Sequence, residues 1–376
     1  MIEVFEPIIG EEEIESVVAA LRRGEISGSF GEAIPQFENE FANYVGCKYG
    51  VAVTSGSTAL HLAVAAADLR PGDEILVSAS TNIATALAVI HNQCIPVPVD
   101  SEGLTWNLDL DLIEDLITPK TRAIIPVHLY GHPVDMPRLM EIAKRHNLLV
   151  IEDCAESHGA TSFGQMSGSF GDMACFSFYA NKVITTGEGG MVTTNNKELA
   201  ERLRLLRNLA FTKPRFRHEE AGFNFRMTGY QAAMGLVQTK KIEHIIGEKR
   251  RVAHTYNNFL KNARGLQLPF EAEWARNVYW MYAVVVRPEF GISRDQLMQF
   301  LANAGVDSRT FFCPMNQQPC LQSQPGFRAI PCPVADELWE SGLYLPSTYT
   351  LSTETISKIA DYVLEAADQV ALAERI

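Results

Sequence analysis

Residues 50–99 read GVAVTSGSTALHLAVAAADLRPGDEILVSASTNIATALAVIHNQCIPVPV, and this stretch decides the fold. It contains three short β-rich apolar runs, GVAVT, DEILV and IPVPV, separated by two helical patterns, STALHLAVAAADL and TNIATALAVIHN. The same alternation continues to about residue 195 through AIIPVH, MPRLMEIAKRH and LLVIED. Such alternation predicts an α/β fold in which helices flank both faces of a mostly parallel central sheet.

The pattern changes after residue 195, where long helices predominate, such as ELAERLRLLRNLA and TGYQAAMGLVQTKKIEHIIGEKRRVAHTYNNFLKN. Beyond about Gly265 the chain has a strand of its own (VYWMYAVVV), a helix (RDQLMQFLANAG) and a terminal helix (ETISKIADYVLEAADQV). We therefore expect two closely packed domains. Residues 1–245 would form a large α/β domain that includes the N-terminal segment, and residues 246–376 a smaller C-terminal α+β domain.

The chain has 376 residues and a formal net charge of −13, from 45 Asp and Glu against 32 Lys and Arg. This balance opposes a general attraction to nucleic acid or to an anionic membrane, so we expect neither as a partner. The apolar stretches fall short of the ~18 residues that cross a bilayer, and the acidic start MIEVFEPIIGEEE lacks the features of a signal peptide. The seven cysteines form no C-x-x-C pair, so we expect no metal site. These features indicate a cytoplasmic protein.

Ligands of open α/β sheets bind at the carboxyl ends of the strands, so polar residues that follow apolar runs are the first candidates for a site. In VTSGSTALHLA a predicted strand ends at Thr54 and a strongly patterned helix follows. Gly56 allows close approach of the backbone, Ser57 adds a hydroxyl, and the free N–H groups of the helix start favour a phosphate. A serine that only caps a surface helix is the alternative, and both remain open.

The segment LLVIEDCAESHGA places Asp153 at the end of the most apolar predicted strand. A carboxylate in such surroundings is costly unless a cation or hydrogen-bond donors meet it. Asp153 could ligate a metal, pair with a buried arginine, hold the protonated ring nitrogen of a cofactor, or cap a helix. We interpret the nearby His158 as a structural histidine.

In ACFSFYANKVITTGEGGMVTT, Lys182 interrupts a run of apolar and small residues. Desolvation would lower the pKa of this lysine and make its amine a nucleophile that can form a Schiff base. A phosphate cradle, a buried acid and such a lysine on one sheet are the parts of a pyridoxal phosphate (PLP) site. The chain has no G-x-G-x-x-G after a strand, no G-x-x-x-x-G-K-[ST] and no G-x-S-x-G, which disfavours NAD enzymes, P-loop enzymes and serine hydrolases.

Four segments together, SGSTALHLA, EDCAESHGA, FSFYANKVITTGEGGMVTT and GFNFRMTGYQAAMG, resemble the PLP-dependent sugar aminotransferases of the DegT/DnrJ/EryC/StrS family. The resemblance covers nearly the whole chain. EDCAE, and SRTFF followed by a proline, are similar to the branch of the GDP-perosamine synthases. The resemblance implies an aspartate aminotransferase-like fold (PLP transferase type I) and a homodimer with shared active sites.

The resemblance also implies roles for individual residues. Lys182 would carry the cofactor and then move the proton between cofactor and substrate, and Asp153 would hold the proton on the pyridine nitrogen. Glu156 would lie near the phenolic oxygen of the cofactor. The residues that match the family's phosphate binders are Gly56, Ser57, Ser177 and, from the partner subunit, Asn224.

Two positions depart from the family pattern. Asn82 stands where many members have an aromatic residue over the cofactor ring, and Asn316 stands where the perosamine branch often has histidine. Both leave the exact sugar open.

The reaction that the resemblance implies moves an amino group from L-glutamate to a keto carbon of a nucleotide-linked 4-keto-6-deoxy or 3-keto sugar, for amino-sugar precursors such as those of lipopolysaccharide. The substrate's diphosphate requires local cations, for which the candidates are Lys213, Arg215, Arg217 and Arg309. A solvated basic loop is the alternative interpretation. A sister branch of dehydratases has histidine in place of the lysine, and a non-catalytic binding protein would lack the nucleophile. Lys182 disfavours both.

Overall fold

The strands and helices are those of a computed structural model that describes residues 1–373. The strands are β1 (Tyr49–Val53), β2 (Glu74–Ser78), β3 (Ile95–Val99), β4 (Thr121–Ile125), β5 (Leu149–Asp153), β6 (Thr161–Ser162), β7 (Gln165–Met166), β8 (Met173–Ser177), β9 (Gly190–Thr194), β10 (Leu266–Gln267), β11 (Ala275–Arg276), β12 (Tyr282–Val286), β13 (Arg309–Thr310) and β14 (Gly342–Leu345). The α-helices are α1 (Glu11–Arg22), α2 (Ala33–Val45), α3 (Gly56–Ala66), α4 (Ala84–His91), α5 (Ile113–Leu116), α6 (Met136–His146), α7 (Lys197–Arg207), α8 (Gly229–Leu260), α9 (Arg294–Asn303), α10 (Pro319–Gln322), α11 (Pro333–Ser341) and α12 (Thr353–Ala373).

The central sheet has seven strands in the order β1-β9-β8-β5-β4-β2-β3. Strands β2, β3, β4, β5 and β8 pair in parallel. Strand β9 is antiparallel to both of its neighbours, β1 and β8, so six of the seven strands run in one direction. The mostly parallel sheet that the sequence predicts is confirmed. The position of β1 is not predictable from chain order, because it lies at an edge beside β9, far from β2.

The strands are apolar because helices cover the sheet. Strands β2, β8 and β9 are buried along their whole length, and the apolar side chains of α3 pack against those of the sheet. The carboxyl ends of β1, β5 and β8 lie at the same edge of the sheet. Strand β9 begins at that edge, where Gly190 pairs with both Val53 and Ser177. The connection from β8 to β9, which carries Lys182, therefore lies at this edge too.

The C-terminal part forms its own antiparallel sheet in the order β10-β12-β14-β13, packed against α9, α12 and the end of α8. The predicted boundary at residue 245 falls inside α8, which continues from Gly229 to Leu260, and the division into two domains stays a prediction. The N-terminal residues join the C-terminal part: the Ile2 N–H donates to the Gly305 carbonyl, and the Ser347 N–H donates to the Val4 carbonyl.

Helix α8 is 32 residues long, the longest within residues 1–373. Neither α8 nor any other helix in that range is both long and apolar enough to cross a membrane.

Lys249 in α8 is a buried lysine that lies outside the predicted site. Its side chain is 4% exposed, and its Nζ donates to the carbonyl of Ser347 at 2.7 Å. No carboxylate within residues 1–373 forms an ion pair with it. Burial lowers the pKa of this amine to about 7, since a charged group in an apolar interior loses its hydration.

We predict that Lys249→Met changes how stability depends on pH. Between about pH 7 and 10 the unfolded chain binds a proton at this lysine that the folded chain does not, so the free energy of unfolding rises with pH, by up to about 1.4 kcal/mol per unit. Lys249→Met should remove this rise, as measured by urea unfolding across that range. The matched control is Lys261→Met at the exposed end of α8. If the free energy of unfolding of Lys249→Met rises with pH as steeply as that of wild type, this amine has an ordinary pKa in the folded chain.

Candidate functional site

A cavity of about 330 Å³ opens at the edge of the sheet where β1, β5 and β8 end. This is the position at which open α/β sheets bind ligands. Seven of the residues singled out in the sequence line it: Gly56, Ser57, Asn82, Asp153, Glu156, Ser177 and Lys182. Residues from four separate segments of the chain therefore converge on one space.

The start of α3 forms one end of the cavity. Ser55 caps the helix, because its Oγ accepts the Thr58 N–H at 3.1 Å while Thr58 Oγ1 accepts the Ser55 N–H at 2.9 Å. The N–H groups of Gly56 and Ser57 donate to no acceptor in the part of the chain that the structure describes. Free N–H groups and the helix dipole favour an anion here. The two interpretations left open by the sequence are thus compatible: Ser55 caps the helix and its neighbours remain free for a phosphate.

Glycine is required at two positions around this helix start. A Cβ on Gly56 would lie 2.6 Å from the Ser177 Cβ, and a Cβ on Gly190 would lie 2.2 Å from the Ser55 carbonyl oxygen. Both distances are far below van der Waals contact. The turn from β1 into α3 is therefore pressed against β8 and β9, which brings Ser177 beside the free N–H groups.

Asp153, the last residue of β5, is buried and has neutral donors only. Its Oδ2 accepts the hydroxyl of Thr85 at 2.8 Å, and its Oδ1 accepts the N–H of Ala155 at 3.1 Å. Burial raises the pKa of this carboxyl, which these hydrogen bonds partly oppose. No cation of residues 1–373 lies within ion-pair distance. A ring nitrogen that carries a proton would supply the charge that this carboxylate lacks.

The sequence did not single out Thr85, although it lies only three residues beyond Asn82. Within α4 it looks like an ordinary interior residue, and only the fold places its hydroxyl against Asp153. Asn82 itself is exposed, and its Oδ1 accepts the Ala84 N–H at 3.0 Å at the start of that helix.

The side chain of Lys182 is half-buried in the wall of the cavity. Its Nζ lies 3.7 Å from the centroid of the Trp280 ring. Burial lowers the pKa of the amine, while the carboxyl groups of Glu156 and Asp153 oppose this change. A lowered pKa increases the fraction of free amine at neutral pH, which is the nucleophilic form.

Glu156 is the second buried carboxyl group of the cavity, 3% exposed. Its Oε2 accepts the backbone N–H of Tyr130 at 2.8 Å. Burial raises the pKa of Glu156, in spite of the nearby amine of Lys182 and the bond from Tyr130, both of which lower it. The raised pKa lets this carboxyl group hold a proton closer to neutral pH than an exposed glutamate does.

The wall formed by the C-terminal part is aromatic. It consists of Trp280 before β12, Phe312 after β13 and Tyr344 in β14. No local pattern connects these residues with the site, because they lie about 100 residues or more beyond Lys182. Phe312 stands in SRTFF, a segment that drew attention to Arg309 instead.

The side chains of the cavity fit PLP. The free N–H groups of Gly56 and Ser57 suit its phosphate, the unpaired Asp153 carboxylate suits a protonated ring nitrogen, and the amine of Lys182 suits its aldehyde. In addition, the Oδ1 atom of Asn181 at the cavity is buried without a hydrogen-bond partner. Buried acceptors are rarely left unpaired, so this atom indicates a bound donor.

Six residues proposed from the sequence do not line the cavity. Lys213, Arg215 and Arg217 lie in an exposed segment. Arg309 pairs with Asp307, and Asn316 donates to Asp336 at 3.1 Å. Asn224 is exposed on a segment that pairs with Asn208. A single chain therefore does not bring these residues together with the site, and their roles stay predictions.

Glu152 precedes Asp153 and, with His128 and Cys154, forms a buried group with the spacing of metal ligands. Its carboxylate is already occupied: it accepts the N–H groups of Gly168, Phe170 and Gly171, each at 2.8 Å. His128 Nε2 lies 3.2 Å from the same carboxylate. These contacts give Glu152 a structural role, in which it fixes the loop before β8.

Comparisons with known proteins agree with this geometry. A family model described as the DegT/DnrJ/EryC1/StrS aminotransferase family matches residues 7–364. A GDP-perosamine synthase from Caulobacter vibrioides is 43% identical over 344 residues, 91% of each chain. The structure of S. venezuelae DesV in complex with a ketimine intermediate has a TM-score of 0.88 at 35% identity, covering 95% of this chain and 94% of that one. A putative sugar aminotransferase from Streptococcus pneumoniae in its PLP form has a TM-score of 0.90 at 28% identity, covering 97% and 98%. The aspartate aminotransferase-like fold is thus confirmed.

We predict that Gly56→Ala weakens PLP binding at least about tenfold. The added Cβ would collide with Ser177 and push the start of α3 away from β8, which separates the phosphate donors. The measurement is a fluorescence titration of cofactor-free protein with PLP. Gly103→Ala is the matched control, because no atom lies within 4 Å of its Cβ position. Equal affinities of Gly56→Ala and wild type would contradict the phosphate cradle.

Proposed function

This chain belongs to the DegT/DnrJ/EryC1/StrS aminotransferase family, and from this we propose that it transfers an amino group from L-glutamate to the keto carbon of a nucleotide-linked sugar. It is an aminotransferase whose cofactor is PLP. The observation that carries the proposal is the convergence of the Lys182 amine, the Asp153 carboxylate and the free N–H groups of α3 on one cavity. The product would be an amino sugar, such as a precursor of lipopolysaccharide or of a glycoside.

The chain's part in the chemistry begins with binding and charge. PLP, when bound, supplies a ring that accepts electrons from the substrate carbon. The N–H groups of Gly56 and Ser57 hold its phosphate. Asp153 keeps a proton at the ring nitrogen, because a buried carboxylate without a cation stabilises a positive charge beside it. Thr85 orients that carboxylate by donating to Oδ2.

Lys182 moves the proton during the reaction. Its Nζ would carry a proton between the substrate carbon and the cofactor, and its lowered pKa favours both uptake and release of that proton. Glu156 lies close enough to influence the charge of this amine and can hold a proton on its own carboxyl group. A positioned acid or base of this kind accelerates proton transfer by about 10²- to 10⁴-fold.

The proposed acceptor is a GDP-linked 4-keto-6-deoxy sugar. The relative from Caulobacter vibrioides, named GDP-perosamine synthase, supports this choice, and Lys182 supports an aminotransferase over a dehydratase. The diphosphate requires cations against the net charge of −13. Arg309 is a candidate because it lies opposite Tyr344 in the β13–β14 pair, and Tyr344 lines the cavity. Lys213, Arg215 and Arg217 are the others.

The proposed active unit is a homodimer with shared active sites, located in the cytoplasm. Asn224 supports the dimer: its side chain is exposed, and it lies outside the cavity of its own chain. Arg226, two residues beyond Asn224, pairs with Val53 at the end of β1, so Asn224 lies near the outer edge of the central sheet. A second copy that approaches this edge could receive the asparagine in its own site.

The proposed function predicts which sugars the protein accepts. A GDP-linked 4-keto-6-deoxy sugar, added to protein whose cofactor has first been converted to the amine form by L-glutamate, should restore the visible absorbance of the lysine-bound cofactor. The same assay with dTDP- and UDP-linked keto sugars tests the nucleotide. Lys182→Ala should abolish the change because it removes both the amine that binds the cofactor and the proton-transfer group, whereas Lys197→Ala on the exposed surface of α7 should behave as wild type. If a simple keto acid restores the absorbance and no sugar nucleotide does, the substrate class is wrong.

The dimer makes a second prediction. Asn224→Ala should lower the affinity for PLP severalfold, because one hydrogen bond to the phosphate is lost, while sedimentation still shows a dimer. Asn262→Ala, also on an exposed asparagine, should leave the affinity unchanged. Sedimentation that shows an active monomer would overturn the shared site.

A further inference from the structure

Trp280 contacts both the site lysine and the residue that precedes it. The Nζ of Lys182 lies over its ring, 3.7 Å from the centroid. Its own Nε1 donates to the backbone carbonyl of Asn181 at 2.6 Å. The side chain is 3% exposed, so these contacts lie within the protein. One residue of the C-terminal part therefore touches both the amine and the backbone that carries it.

The amine of Lys182 has few other partners. Its Nζ forms no hydrogen bond and no ion pair with any group in residues 1–373, and the carboxylates of Asp153 and Glu156 lie beyond ion-pair distance. An ammonium over an aromatic face is attracted to the negative face of the ring, most strongly when water is excluded. The indole face is thus the principal contact of this amine.

Trp280 is itself held in place by the segment that follows β4. The ring of Tyr130 stacks on it, with centroids 6.2 Å apart and planes 15° apart. Gly131 follows with a φ of +102°, and a Cβ there would lie 2.8 Å from the backbone nitrogen of Trp280. The N–H of Tyr130 also donates to Glu156. Tyr130 therefore contacts both the indole ring and the carboxyl group of Glu156, while Gly131 lies against the backbone of Trp280.

We propose that Trp280 is a positioning residue of the transamination reaction: its indole face holds the Lys182 amine whenever that amine is free, and its N–H fixes the turn at Asn181. The proposal rests on the proposed function, because the lysine is free only while the cofactor carries the amino group. Trp280 acts through the lysine, whose Nζ lies over its ring.

Other titratable groups surround the lysine and remain in any Trp280 variant. On the cavity side they are Asp153, Glu156, Tyr179, Glu188 and Tyr344. On the opposite side a smaller cavity reached by Lys182 is lined by Glu6, Lys249 and Tyr349, and His158 also lies within electrostatic range. A comparison of variants with wild type therefore isolates the effect of the indole ring.

The test measures the pKa of Lys182 itself in protein whose cofactor is in the amine form. Competitive acetylation over a range of pH, followed by mass spectrometry of the Lys182 peptide, gives that pKa without turnover. Trp280→Leu removes the aromatic face, so the pKa should fall by about 0.5–1.5 units, because the charged form loses its stabilising contact. Trp280→Phe keeps a face and should stay close to wild type.

Turnover with both substrates gives the second measurement. Trp280→Phe lacks the N–H to Asn181, so its kcat should fall severalfold with the KM of the sugar nucleotide unchanged; Trp280→Leu should lose more. Trp274→Leu, at a tryptophan outside the cavity, is the matched control. If Trp280→Leu does not fold, the kcat of Trp280→Phe decides the proposal.

Two results would overturn the role of Trp280: an unchanged Lys182 pKa in folded Trp280→Leu, or a wild-type kcat in Trp280→Phe. Failure of the proposed function would look different. Wild-type protein would then ignore every sugar nucleotide, while the acetylation measurement would still report whether the indole ring holds the amine.

Discussion

The antiparallel pairing of β9 with both β1 and β8 is the constraint on which the site depends. Because β9 runs against its neighbours, it starts where they end, and its connection from β8 must lie at the edge of the sheet that holds the start of α3 and the end of β5. The pairing of Gly190 with Val53 and Ser177 leaves no room for a side chain beside the Ser55 carbonyl. The anion-binding end of the cavity and the lysine-bearing turn are thereby fixed by one strand.

The titratable groups at that edge of the sheet lack full partners within the chain, and a bound ligand could supply them. Burial raises the pKa of the carboxyl groups of Asp153 and Glu156 and lowers that of the Lys182 amine, so all three groups are shifted toward their neutral forms. A site left in this state costs stability, since each polar group has lost water without gaining a full partner. A ligand with a cationic ring nitrogen, an anionic phosphate and a carbonyl carbon would relieve all of these costs together. The site therefore favours a ligand that carries all three of these groups over one that lacks any of them.

The sequence predicts the polar half of the site and misses the aromatic half, for a physical reason. Gly56, Asp153 and Lys182 each follow or interrupt an apolar run, and strand order alone brings the ends of parallel strands to one edge, whereas only the family resemblance indicates Ser177. Trp280 and Tyr344 reach the cavity only because the second sheet packs against the first, and no local pattern encodes that packing. Thr85 is likewise not predictable from a local pattern, because only the packing of α4 places its hydroxyl against Asp153. Lys213, Arg215 and Arg217 are candidates only because of their charge, and charge does not determine whether a side chain faces the cavity.

The pairing of the first residues with the C-terminal part has a consequence for synthesis of the protein. The Ser347 N–H donates to the Val4 carbonyl, and Ile2 pairs with Val306, so these first residues find their partners only after the ribosome has added about 300 residues or more. Contacts this distant in sequence are slow to form, because closing so long a loop costs entropy before any contact is gained. Until then the apolar Val4 and Phe5 lack these contacts in the nascent chain, and exposed apolar surface of this kind favours aggregation and chaperone binding.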